Sequence, residues 1–105
     1  GAGSERRMRR IAWSKDALAE LDDAIRYIAG DNPAAAIDQL DRIEETARLL
    51  AEMPVGRPGR VQGTYEKPVL GSPYVIAYHL SEATLTILRV IHARRDWPDG
   101  VWPKS

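Results

Sequence analysis

In the stretch "ILRVIHARRDWP", residues 87–98, an apolar run ends in His92, Arg94, Arg95, Asp96 and Trp97. Imidazole is the one side chain whose ordinary pKa lies near working pH, so His92 is the residue of this cluster able to exchange protons there. Arg94 and Arg95 bring permanent positive charge. Trp97 brings an indole, which stacks on a base but does not exchange protons usefully. A second pair of cations, Arg57 and Arg60, follows glycines in "GRPGR", and Lys67 stands in "TYEKPV". Gathered at one end of a sheet, Arg57, Arg60, Arg94 and Arg95 would grip a polyanion, each phosphate contact adding a salt-sensitive contribution. The plainer alternative is that Arg95 and Asp96 tie down the tail while Arg57 and Arg60 are solvated loop charges.

The charge distribution bears on the same question. Residues 14–53 hold ten acids and four bases, a net of −6, whereas residues 54–105 hold seven bases and four acids, a net of +3. A neutral total thus conceals an acidic middle and a basic end, which can create a local field for an anionic target. There is no cysteine, and two histidines far apart do not have the spacing of metal ligands, so disulfide and zinc chemistry are not expected. No cofactor is expected either. No apolar run approaches the roughly 20 residues that cross a bilayer, and the expectation is a cytoplasmic protein without membrane contact.

The elements that must position these residues follow from periodicity. "GAGSERR", residues 1–7, reads as a scar or loose arm; residues 8–98 form one domain and residues 99–105 a tail. "RRIAW" is a short strand running into Ser14, a good helix N-cap. Leu18, Leu21, Ile25 and Ile28 recur at helical spacing over residues 15–29. Asn32 and Pro33 then start a second helix with the stripe Ile37, Leu40, Ile43, Ala47 and Leu50, which Pro54 ends. The short connection predicts an antiparallel helix hairpin. "PVGRPGRVQG" reads as a loop, followed by three strands: "TYEKPVL", "YVIAYHL" and "LTILRVIH". The order β-α-α-β-β-β predicts an α+β domain, a helix hairpin on one face of a mostly antiparallel sheet ending in a three-stranded meander.

Taken in this order and spacing, "YIAGDNPAAA", "GRPGRVQGTYE", "PYVIAYHL" and "ILRVIHARRDWP" resemble the RelE/ParE superfamily of bacterial toxins, over residues 9–98. The resemblance implies a growth-inhibiting toxin of a two-gene type II toxin–antitoxin module, neutralised by a cognate antitoxin protein. It implies one of two targets: messenger RNA cut on the ribosome without a metal, or DNA gyrase poisoned without nuclease action. Metal-free cleavage needs a base, an acid and cations for the developing phosphorane charge. Against RelE-like nucleases, the matching places hold Lys67, Arg94 or Arg95, and His92. The expected catalytic set is therefore His92, Lys67 and Arg95, with Arg57, Arg60, Tyr65, Arg94 and Trp97 as target contacts, and the residues lean toward the nuclease.

The match is partial. A single lysine stands on the strand where such nucleases place several, and the tail carries Trp97 and Trp102 in place of an aromatic acid–base residue. Tyr65 in "GTYE" occupies a position many relatives fill with arginine; it either contacts the target or packs on the loop. Arg89, inside "ILRVI", must reach solvent or pair with an acid, and Glu66 is the expected mate. His79 reads as a structural strand residue, and Tyr74 and Tyr78 share a strand face as core or antitoxin contacts.

Overall fold

The computed structural model describes residues 8–59 and 61–94 of the chain. Ser14 decides where strand β1 (Arg10–Trp13) gives way to helix α1 (Lys15–Asp31). Its hydroxyl oxygen accepts the Ala17 N–H at 3.0 Å and its O–H donates to the Leu88 carbonyl at 2.8 Å. The first bond satisfies an orphan donor at the helix start; the second ties that start to the sheet. Ser14→Ala is expected to lower stability by about 1–2 kcal/mol. Urea titration should show an earlier midpoint at unchanged slope.

Asn32 serves both helices. Its backbone N–H donates to the Ile28 carbonyl, ending α1, while its side-chain oxygen accepts the Ala35 N–H at 3.1 Å, opening α2 (Pro33–Glu52). Pro33 at the first helical turn loses no hydrogen bond there. One extended residue thus reverses the chain into the expected hairpin.

Four further strands follow: β2 (Arg57–Pro58), β3 (Tyr65–Pro68), β4 (Tyr74–Leu80) and β5 (Thr84–His92). They form one five-stranded sheet in the order β1-β5-β4-β3-β2, with β1 parallel to β5 and every other pair antiparallel. The α+β architecture is the expected one, and β2 is added to it. Its two residues pair with Tyr65 and Glu66 inside the segment that reads as a loop.

Register assigns the faces. Leu80, Tyr78, Ile76 and Tyr74 of β4 stand opposite Leu85, Ile87, Val90 and His92 of β5. Cross-strand partners share a face, and most of these residues join Ile43, Ala47 and Leu50 of α2 and Ala17 and Ala24 of α1 in the core. The step from Ile87 to Val90 is odd because the register shifts between Ala77 and Tyr78, leaving Leu88 as an extra residue of β5. That bulge reverses the alternation and keeps both Ile87 and Val90 inward. Gly71, at φ +74°, takes the left-handed conformation in the β3–β4 turn.

Both helix stripes lie inward as expected except at their first members. Leu18 is 51 % exposed and Ile37 63 % exposed, while Ala17, Ala24 and Ala36 take the inward positions. Alanine lets a helix backbone approach the sheet closely, and Leu18 and Ile37 are displaced to the flank.

Candidate functional site

The sheet places His92 and Lys67, the two described members of the expected catalytic set, on different strands. His92 is the last residue of β5, opposite Tyr74 of β4. The imidazole meets the Tyr74 ring edge-to-face, with centroids 5.2 Å apart and planes at 86°. Its Nδ1 accepts the N–H of Arg94 at 3.2 Å, which leaves Nε2 to carry the proton of the neutral ring. The ring lines a cavity of about 330 Å³ with Tyr27, Ile28, Ala35, Gln39, Pro73 and Tyr74.

Lys67 lies elsewhere. It is opposite Ile76 on β3 and lines a different cavity, about 410 Å³, with Leu49, Leu50 and Val55. Two strand spacings and two residues along the strand put its Cα roughly 12 Å from that of His92. Its aliphatic stem lies against apolar side chains, an arrangement lysine adopts with its ammonium toward water. His92 and Lys67 thus line different cavities. Arg95, Arg60 and Trp97 lie outside the described residues.

Arg57 of β2 stands opposite Glu66 of β3, its guanidinium 3.7 Å from the carboxylate. The arginine side chain is 62 % exposed and that of Glu66 only 2 %. A buried carboxylate is expensive without a cation, so Glu66 anchors one end of a charge that Arg57 carries to the surface. Arg94 is exposed beside His92. Tyr65, half-buried, stacks on Tyr78 of β4 at 5.6 Å and 24°.

Tyr78 is fully buried and its hydroxyl oxygen accepts the Gly56 N–H at 2.9 Å. Burial pushes its phenol above the ordinary 10.0, with the Gly56 bond opposing. It stays neutral throughout the physiological range.

The expected Arg89–Glu66 pairing is corrected. Strand β4 lies between β3 and β5, with Ala77 in register between the two residues. Arg89 reaches Glu20 of α1, its Nε donating to Oε2 at 2.8 Å and a second guanidinium nitrogen to the same oxygen. The other oxygen of Glu20 accepts the Val90 N–H at 2.9 Å. Strand β1 stops opposite Ile87, so the outer edge of β5 is open beyond that point, and Glu20 fills part of it. An arginine inside an apolar strand signalled a partner acid; nothing in the sequence said which.

Gln39 and Tyr27 were also missed. Gln39 sits on an ordinary amphipathic helix, and only the tertiary arrangement places it in the wall of the cavity that His92 lines. Among the described residues no three His, Asp or Glu side chains converge where a metal ion could be held. No described helix is long and apolar enough to cross a membrane.

Comparison with known proteins adds what geometry alone does not. Toxin RelE2 of Caulobacter vibrioides is 35 % identical over 89 residues, 84 % of this chain and 99 % of that one. The Sinorhizobium fredii protein Y4kP is 42 % identical over 91 residues, 86 % of this chain and 94 % of its own. Among solved structures, the chromosomal ParDE toxin–antitoxin system of P. aeruginosa superposes with a TM-score of 0.76 at 22 % identity, covering 83 % of this chain and 98 % of that one. Residues 11–97 match the family described as the ParE toxin of type II toxin–antitoxin systems, parDE. Since that span runs from β1 through the His92 cluster, and two relatives align over most of the chain, the protein belongs to the ParE toxin family.

Proposed function

We propose that this chain is a growth-inhibiting toxin, held inactive by a cognate antitoxin protein, and that it poisons DNA gyrase by docking rather than by cutting messenger RNA. The observation that carries the choice is the separation of Lys67 from His92 into different cavities. Phosphodiester cleavage without a metal needs the proton-transferring group and the cation within reach of one phosphate. Lys67 and His92 line different cavities, and the Nδ1 lone pair of His92 is engaged by the Arg94 N–H. Docking needs neither a proton shuttle nor a particular pKa. In this reading the exposed Arg57 and Arg94, with Arg60, Arg95 and Trp97, are contacts to the target.

Pulse-labelling of DNA and protein in induced cells, with primer extension on a reporter transcript, tests it. DNA synthesis is expected to stop first, with an SOS response and intact transcripts. His92→Gln should retain toxicity within about threefold, since loss of a general acid or base would cost about 10²-fold or more. Protein synthesis stopping first, with transcripts cut on the ribosome, would replace this reading with the nuclease. Co-expression with the neighbouring reading frame should restore growth and yield a co-purifying complex.

A further inference from the structure

We infer that the groove between α2 and β3 receives a helix of the cognate antitoxin, whose apolar stripe covers Leu49, Val55 and Leu70 and whose carboxylate pairs with Lys67. The inference rests on the toxin–antitoxin reading above and adds to it where that partner docks and by what chemistry. Its starting point is the cavity of about 410 Å³ that Lys67 lines. Leu50 and Val69 of its lining are buried, whereas Leu49, Val55 and Leu70 are exposed, Leu70 at 87 %. Single exposed leucines are ordinary on a protein surface; several gathered around one concavity mark a surface that another molecule covers. Lys67 is the one charged group among the described residues that line it. It is half-buried and makes no ion pair with any described residue.

The sheet dictates the shape of the guest. Helices α1 and α2 pack on β1, β5 and β4. Tyr65 and Lys67 of β3 pair with Tyr78 and Ile76, both core residues, and so face the helix side of the sheet beyond α2. Strands lie about 4.8 Å apart and packed helices about 10 Å apart, so a third helix beside α2 would lie two strands further out, over the margin of the sheet. A guest here rests on a face, where β3 has given its hydrogen bonds to β4 and β2. An extended segment finds no backbone partners on a face, whereas a helix makes its own. An adjoining cavity shares Thr46, Leu49 and Leu70 and continues along α2 to Asp41. From Asp41 to Leu50 is about 14 Å of helix, room for about ten residues of a guest lying alongside. Arg42 donates to the Leu70 carbonyl at 3.3 Å, which holds the β3–β4 turn against α2 and keeps the groove formed before a guest arrives. The cations along α2 are matched locally, Arg42 with Asp38 and Arg48 with Glu45. Lys67 is therefore the charge left for the guest to meet, and an acid on its apolar face does so. A second copy of this chain related by a twofold axis would set groove against groove, and two concave surfaces leave no helix to fill either. The antitoxin is the partner that must stay bound, and an amphipathic helix laid in an apolar groove is how a segment that orders on binding holds on.

The test measures affinity for the antitoxin encoded by the neighbouring reading frame, by titration calorimetry on the purified full-length toxin. Lys67→Met keeps the stem and removes the charge; it should weaken binding about fivefold and flatten its salt dependence. Lys67→Glu should weaken it about thirtyfold or more. Leu70→Asp, at a side chain too exposed for the fold to depend on it, should weaken it about tenfold. Thermal melts check that each variant is folded. Replacing the antitoxin's acids by lysine one at a time should find one that restores binding to Lys67→Glu. The chain has no cysteine, so Leu70→Cys can carry a single photo-crosslinker. The antitoxin residues it captures should recur at three- and four-residue steps, as one face of a helix does.

Tight binding indifferent to Lys67→Glu and Leu70→Asp overturns the inference and leaves the toxin–antitoxin reading intact. Capture of alternate residues, two apart, overturns it too, since the guest is then extended. Variants that break self-association of the toxin, or that weaken growth arrest, without altering antitoxin affinity overturn it by assigning the groove to a second copy or to the target. If no product of a neighbouring frame binds, the toxin–antitoxin reading fails and the inference falls with it.

Discussion

Glu20→Ala is expected to be among the most damaging single substitutions in this protein, lowering the unfolding free energy by about 2–4 kcal/mol. Three donors depend on that carboxylate: two guanidinium nitrogens of Arg89 and the backbone N–H of Val90. The Arg89 side chain is only 16 % exposed, so the alanine variant takes the Glu20 carboxylate away from a mostly buried cation and from a strand N–H. Glu20→Gln keeps one oxygen for Val90 and should recover about half of the loss. Thermal unfolding of Glu20→Ala should begin roughly 10–20 °C lower for a domain of this size. A double-mutant cycle with Arg89→Met separates the two contributions, because the Val90 bond survives that change. A Glu20→Ala melting point within 2 °C or so of the parent's would show that solvent replaces the carboxylate at little cost.

Gly56→Ala should cost about 2–4 kcal/mol for a different reason. A Cβ on residue 56 would collide with the Tyr78 hydroxyl and stand 2.7 Å from the Glu66 carbonyl oxygen. Neither neighbour yields easily, since Tyr78 is fully buried in the core and the Glu66 carbonyl belongs to strand β3. The chain must retreat, which breaks the Gly56–Tyr78 hydrogen bond and loosens β2 from the sheet. Tyr78→Phe, which removes the oxygen but keeps the ring, should lose only about 1 kcal/mol. Combining the two should be less damaging than their sum, as the collision with the hydroxyl is then gone. Chemical denaturation of the parent and the three variants measures both the losses and the coupling.

Much of the frame was legible in the sequence because caps and breakers act locally. Ser14, Asn32, Pro33 and Pro54 mark the ends of both helices where the structure has them, and the apolar runs after "GSP" and "SEAT" are β4 and β5. What was not legible depends on distant partners. Strand β2 is hidden inside a glycine- and proline-rich segment because two residues become a strand only by pairing with Tyr65 and Glu66. The start of each stripe, Leu18 and Ile37, was misplaced because Ala17 and Ala36 weigh little in hydrophobic periodicity but win inward places through size. The site divides in the same way. His92 was found from its residue type and its place at the end of a strand, whereas the face and cavity that Lys67 occupies follow from β3–β4 register. Gln39 and Glu20 carry no local mark at all, since a glutamine or glutamate on an amphipathic helix is ordinary until the sheet is laid beside it.

The sheet order also sets a constraint on synthesis. Strand β5, the last described in the chain, lies between β1 and β4 and pairs with both, joining Arg10 to Thr84 across most of the polypeptide. Until β5 emerges from the ribosome, β1 has no strand to pair with and β4 lacks one of its two neighbours. Local contacts form the helix hairpin early, but closing so long a loop is entropically slow and comes last. A chain that terminates before residue 84 therefore has no route to the closed sheet, and the fold is gained as a whole, near the end of translation.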